Sequence, residues 1–176
     1  GTPAQALPIL INFDGLSTGV AVTNQFAGVT FSNTITANGN PVSSPNTIKA
    51  ISSGFQPKVG SPLIATFSSA ATSVSIVGSN VGGSGIRIDA YDAVTGGSII
   101  GFDSFIGTGL GSGVTSLLSV STSGIFRVEF YQPLTTGEGV EWDDFTYEPA
   151  SASASASEPA TLAIFGLGLA GLGLMR

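Results

Sequence analysis

Between residues 7 and 148 the apolar side chains come in short runs, several alternating strictly with polar ones, and each run stops at Gly, Ser, Asn, Asp or Thr. Leu7 to Phe13 is an apolar run ended by Asp14-Gly15, and Gly28 to Ser32 puts Val29 and Phe31 on one face. Leu63 to Val77 carries Leu63, Ala65 and Phe67, then Val74 and Ile76, in two pieces separated by Ser68-Ser69-Ala70. Ile86, Ile88 and Ala90 alternate with Arg87, Asp89 and Tyr91, and the turn Val94-Thr95-Gly96-Gly97 leads into Ile99 to Phe105. Leu117 to Val120 and Ile125 to Tyr131 are split by Thr122-Ser123-Gly124, and Glu141 to Tyr147 is the last run. A period of two sends successive side chains to opposite faces of a strand, whereas no window before the tail repeats at 3.6. About eight short strands joined by such turns predict an all-β domain over residues 7–148, a jelly-roll β-sandwich. Phe55, Tyr91, Phe102, Phe105, Tyr131 and Trp142 would suit sugar stacking if exposed; the expectation is that the Phe rings fill the core, while Tyr91 and Tyr131 suit either core or surface.

The flanks read differently. Ala4-Gln5-Ala6 has the small-x-small form of a signal-peptidase site, so residues 1–6 are read as an N-terminal stub, either a signal-peptide remnant or an arbitrary polar start. Residues 149–157, Pro followed by alternating Ala and Ser, offer nothing large to bury and read as a linker, with an edge strand as the alternative. Residues 160–175 are uncharged and rich in Leu and Gly. As a short apolar helix they would span roughly 24 Å, a little less than the ~30 Å hydrocarbon core. Pro159 suits the first turn of such a helix, Glu158 suits its positive end, and Arg176 closes the segment on what would be the cytoplasmic side. Gly166-x-Gly168-x-x-Gly171 has the dinucleotide spacing, but without a strand before it the match means nothing; in a membrane helix these glycines would permit close packing.

Composition narrows the chemistry. Charged residues are 9% of the chain, against about 25% in ordinary soluble domains, and hydroxyl and amide side chains take their place, which suits an extracellular setting. The net charge of −6 is carried with five scattered bases, so no basic stripe exists for a phosphate backbone, and nucleic acid is not an expected partner. With no Cys there is no disulfide framework, and with no His the usual general base and transition-metal ligand are both missing. Asp89, Asp92 and Asp103 read as members of solvated faces and turn caps, since no spacing marks a glycosidase pair. The expectation is a protein that is not an enzyme.

The order Ser157-Glu158-Pro159-Ala160-Thr161, a Gly/Leu-rich apolar run and a terminal Arg176 resembles the PEP-CTERM sorting signal. That resemblance implies export by a bacterium that makes exopolysaccharide, a transient inner-membrane intermediate and processing by an exosortase-type membrane protease near Ser157, Glu158 and Pro159. Two departures stand out: Ser157 replaces the first Pro of the motif, and the usual basic cluster is reduced to Arg176.

Ile11-Asn12-Phe13-Asp14-Gly15-Leu16 and Trp142-Asp143-Asp144-Phe145-Thr146-Tyr147 resemble the opening and closing strands of secreted PEP-CTERM proteins, an architecture similar to carbohydrate-binding jelly rolls. The resemblance implies a structural calcium ion at Asp14 and Asp143, with Asp144 beside them. Strand parity favours Asp143 over Asp144, since Asp143 shares a face with Phe145 and Tyr147. The plainer reading makes both acids turn residues facing water. Functionally the chain is expected to be a non-catalytic matrix or cell-surface protein associated with exopolysaccharide. The alternatives are a dedicated carbohydrate-binding module and a homo-polymeric subunit of an extracellular filament or sheath.

Overall fold

In the computed structural model, which describes residues 6–39, 42–43, 45–109, 114–134 and 137–151, the alternating runs become strands of one bent antiparallel sheet. The strands are β1 (Ile9–Ile11), β2 (Ala21–Val22), β3 (Val29–Ser32), β4 (Thr34–Ala37), β5 (Thr47–Ala50), β6 (Leu63–Ser79), β7 (Ile86–Tyr91), β8 (Ile99–Phe105), β9 (Thr115–Tyr131) and β10 (Glu141–Pro149). The main path runs β2-β4-β5-β10-β6-β9-β7-β8, with β1 pairing β10 and β3 pairing β6. Among the described residues there is no helix. The expected C-terminal helix, the linker beyond residue 151 and the whole 158–176 segment lie outside the described residues.

Two strands of 17 residues each, β6 and β9, run the length of the sheet and pair with each other on both sides of an interruption. Their register shifts between Thr66 and Ser73, and the bend there divides the sheet into two halves. In one half the start of β6 pairs β3, and the end of β9 pairs β7. In the other the end of β6 pairs β10. The halves face each other across a single apolar core, a β-sandwich. The breaks expected at Ser68-Ser69-Ala70 and Thr122-Ser123-Gly124 thus fall inside strands that continue through them, at the place where the β6–β9 register is interrupted.

Ten strands stand where about eight were expected; β2, β4 and β5 are the additions, and β4 and β5 share a cause. β4 and β5 read TITA and TIKA, in which Thr counts as polar, yet Thr34, Thr36 and Thr47 are buried. Their hydroxyls are satisfied inside: Thr34 Oγ1 donates to Ser32 O at 2.9 Å, Thr36 Oγ1 to Ser17 O at 2.7 Å and Thr47 Oγ1 to Trp142 O at 2.7 Å. A buried hydroxyl with a partner costs little, so β-branched Thr can serve as a core residue.

Aromatic rings dominate the centre. Phe145 packs edge-on against Phe31 with centroids 5.1 Å apart, and stands 6.2–6.3 Å from Phe67, Phe130 and Tyr147. The cluster is locked at its rim by Gly28, whose φ of +84° is open to glycine without strain. A Cβ there would also stand 2.6 Å from the Tyr147 hydroxyl, which donates to Ala27 O at 2.8 Å.

Candidate functional site

Two places gather polar chemistry. The first is the corner where the segment after β1 and the start of β10 meet the stretch before β5. Asp143 is 1% exposed, and its carboxylate is held by the chain itself. Oδ2 accepts from Ser43 N at 3.0 Å and Ser43 Oγ at 3.1 Å, and Oδ1 accepts from Asp144 N at 2.8 Å. Ser43 Oγ also lies 3.2 Å from Asp144 Oδ1, so two carboxylates share one hydroxyl. Burial pushes the Asp143 carboxyl above its ordinary value, and the Ser43 and Asp144 donors pull it partly back. Asp144 has a φ of +48°, at the point where the β10–β6 register shifts. That bulge leaves both Trp142 and Asp143 buried in sequence, with Phe145 and Tyr147 inside after it.

Asp14 anchors the same stretch from the other side. Its Oδ1 accepts from Asn46 N at 3.1 Å, and its Oδ2 accepts from Asn12 Nδ2 at 3.0 Å. Asn46 is itself fixed, donating through Nδ2 to Leu16 O at 2.6 Å and accepting from Thr18 Oγ1 at 2.9 Å. Asp143 and Asp144 therefore converge, whereas Asp14 engages Asn12 and Asn46. Among the described residues no three acidic side chains form a metal-binding group. Ser43 and Asn46 carried no sequence signal, since Ser43 is 100 residues from its partner Asp143.

The second place is the outward face of β3, β6, β9, β7 and β8. Ile88, Ala90, Val128 and Phe130 point into the core, so Arg87, Asp89, Tyr91, Arg127, Glu129 and Tyr131 point out. Register places Ser32, Ile64, Glu129, Asp89 and Phe102 in one row across the five strands. Thr30, Thr66, Arg127 and Tyr91 form the next row. Each guanidinium has its own carboxylate. Arg87 Nη2 reaches Asp89 Oδ1 at 2.7 Å, and Arg127 Nε reaches Glu129 Oε1 at 3.0 Å. Each also lies over a ring: Arg87 Cζ is 4.2 Å from the Phe102 centroid and Arg127 Cζ is 3.9 Å from that of Tyr91.

Several expectations change on this face. Asp89 was expected to be solvated but is 3% exposed, accepting from Arg87 and from Tyr131 OH at 2.7 Å. A buried carboxylate survives here because two donors replace its water. Asp92 does cap its turn, accepting from Ser98 N at 2.7 Å. Asp103 bridges strands, with Oδ2 accepting from Ser119 N at 2.9 Å and Oδ1 from Ser104 N at 2.8 Å. Phe102 and Phe105, expected in the core, are 60% and 37% exposed. β8 ends the sheet path, so its outward side chains have no further strand to pack against. Trp142 is buried, Phe55 is half-buried under Lys49 Nζ, Tyr131 is buried and Tyr91 half-buried.

Burial and the hydrogen bond to Asp89 push the Tyr131 hydroxyl from its ordinary 10.0 up to about 12. A raised pKa in an acid that is neutral when protonated means this residue's contribution is intact below pH 10 and lost as pH rises toward 12. Melting measured between those limits should fall more steeply with pH for the native chain than for Tyr131→Phe; equal slopes would contradict the assignment.

Ser157, Glu158, Pro159 and Arg176 lie outside the described residues, and sequence comparison speaks for them instead. No curated protein matches the chain. Among solved structures the body is similar to the K2 cleaved adhesin domain of Lys-gingipain (Kgp). The TM-score is 0.52 at 11% identity, over 80% of this chain and 99% of that one, which is a likeness of fold. An isomalto-dextranase of Arthrobacter globiformis T6, complexed with panose, gives a TM-score of 0.39 at 13% identity, over 83% of this chain and 33% of that one. Residues 155–176 match the PEP-CTERM protein-sorting motif, and the chain that carries them is thereby a protein exported through exosortase-type machinery to the cell surface or extracellular space.

Proposed function

We propose that this protein is a non-catalytic component of a bacterial extracellular matrix, a jelly-roll sandwich delivered to the surface and associated there with exopolysaccharide. The observation that carries the reading is the sorting motif at residues 155–176. The body supports it in two ways. The chain holds neither His nor Cys, so the usual general base and a thiolate nucleophile are both absent. The buried acids are engaged structurally, Asp89 with Arg87 and Tyr131, and Asp143 with Ser43 and Asp144. A surface rich in hydroxyls and poor in charge suits a hydrated polysaccharide gel, where stickiness through charge would serve no purpose.

The test is the intact mass of protein recovered from the extracellular polysaccharide fraction of producing cells. A product ending near Ser157 is expected. Recovery of the whole chain through Arg176, confined to the cytosol, would overturn the reading.

Calcium belongs to the same proposal as a structural ion at the β10 corner. The donor set fits the metal in kind: oxygens of Asp143, Asp144 and Ser43 already converge, and calcium prefers hard oxygen ligands. Bound there, the ion would neutralise two neighbouring carboxylates and tie the start of β10 to the stretch before β5. Chelation should then lower the melting temperature by several degrees, and readdition of calcium should restore it. An unchanged melting curve after verified metal removal would reject the ion and leave the Ser43 and Asp144 donors as the whole answer.

A further inference from the structure

We infer that the outward face of β3, β6, β9, β7 and β8 binds the neutral sugar residues of a polysaccharide, with Phe102 as the stacking platform and the groove beside Glu129 as the polar subsite. This deepens the exopolysaccharide reading and rests on it.

Three observations converge on that face. The first is Phe102. Its ring is 60% exposed on a strand paired along its length with β7, which holds it where a ligand can reach it. One face of the ring is covered by the Arg87 guanidinium, which fixes its plane and leaves the other face to solvent. The axial C–H groups of a sugar form an apolar patch of the right shape for such a ring, while its hydroxyls stay free for hydrogen bonds.

The second is a groove of about 400 Å³ on the same face, walled by Ile64 and Val94 and bearing the hydroxyls of Ser32, Thr66 and Thr95. At its floor lie Arg127 and Glu129. Ligand sites commonly combine apolar walls with a few placed polar groups, and this mixture suits a molecule with both hydroxyls and C–H surfaces. β7 lies between β9, which carries Glu129, and β8, which carries Phe102, so groove and platform are about 10 Å apart, a distance that a chain of linked sugars can bridge.

The third is charge. Both arginines of the face are already neutralised, Arg87 by Asp89 and Arg127 by Glu129. Arg127 is also pinned between the Tyr91 ring and Ala93 O, to which its Nη1 donates at 3.1 Å. An anionic sugar or a sulfate would have to displace a carboxylate from a buried pair, which is unfavourable. A neutral sugar needs no such exchange. Glu129 Oε2, which among the described residues accepts from Tyr91 OH alone, at 3.3 Å, can take a stronger hydrogen bond from a sugar hydroxyl.

The experiment is affinity electrophoresis of the exported protein through gels containing the purified exopolysaccharide of the producing culture. Phe102→Ala, Thr66→Val and Glu129→Gln are run beside Leu117→Ser, an exposed site on the other half of β9. Each variant's melting temperature is measured in parallel. Retardation of the native chain is expected, with an affinity loss of about tenfold for Phe102→Ala and Glu129→Gln, little change for Leu117→Ser, and retardation insensitive to added salt. Native protein that is retarded together with equally retarded, folded face variants would overturn the face and leave the matrix reading standing. Retardation abolished by moderate salt would overturn the neutral-sugar assignment in favour of a polyanion. Native protein that is not retarded at all would overturn both.

Discussion

Phe145→Ala should lower the melting temperature of the exported protein by roughly 10 °C or more, the largest effect expected of any single ring. Phe145 is fully buried and its neighbours come from strands distant in sequence: Phe31 on β3, Phe67 on β6, Phe130 on β9 and Tyr147 on its own strand. Removing it leaves a cavity walled by rigid rings that cannot close in, and such truncations cost about 3–5 kcal/mol. A domain of this size loses about 2–4 °C per kcal/mol, which sets the expected shift. Phe102→Ala is the internal control, since that ring is mostly exposed and its loss should move the curve by about a degree or less. Calorimetry on the two variants decides the matter. A drop under about 3 °C for Phe145→Ala would mean that the two halves of the sheet do not pack as described.

The second large effect concerns the tail. Replacing both Glu158 and Pro159 by Ala should leave the body as stable as before and stop its release. Gln5–Ala150 forms one compact unit, and its apolar core runs from Ile11 to Tyr147. The sorting motif spans residues 155–176, and the two replaced residues lie at its head, beside the expected cleavage point. Uncleaved protein should accumulate in the membrane fraction at the expense of the extracellular one, with an unchanged melting temperature for the body. Normal release of a shortened product from the double variant would show that cleavage does not read these two residues. A large fall in melting temperature would show instead that the tail serves the fold.

The two predictions meet the sequence at different depths. The tail was legible because its information is one-dimensional: an order of Glu, Pro, apolar run and Arg that matches a sorting motif residue by residue along the chain. The all-β class was legible for a related reason, since period-two alternation is a local consequence of pleat geometry. Parity with Phe145 and Tyr147 also pointed to a buried Asp143, and it is 1% exposed, but for another reason: the bulge at Asp144 breaks the alternation, so Asp143 pairs Val77 on the face opposite Tyr147 and is met there by Ser43.

What lay beyond the sequence was everything decided by which strands become neighbours. Thr34, Thr36 and Thr47 look like loop polarity until carbonyls of Ser32, Ser17 and Trp142 arrive to satisfy them. Asp89 looks solvated until Tyr131, 42 residues on, donates to it, and Phe102 looks like core until β8 proves to be the last strand of the path. Ser43 meets Asp143 across 100 residues, with nothing near either to announce it. Alternation set the class of the fold and the order of the tail motif set the destination of the chain, because both are written in short stretches of adjacent residues. The partners of the polar groups, and with them the two candidate sites, depend on strand order and register, which are settled only when distant segments compete for the same edges.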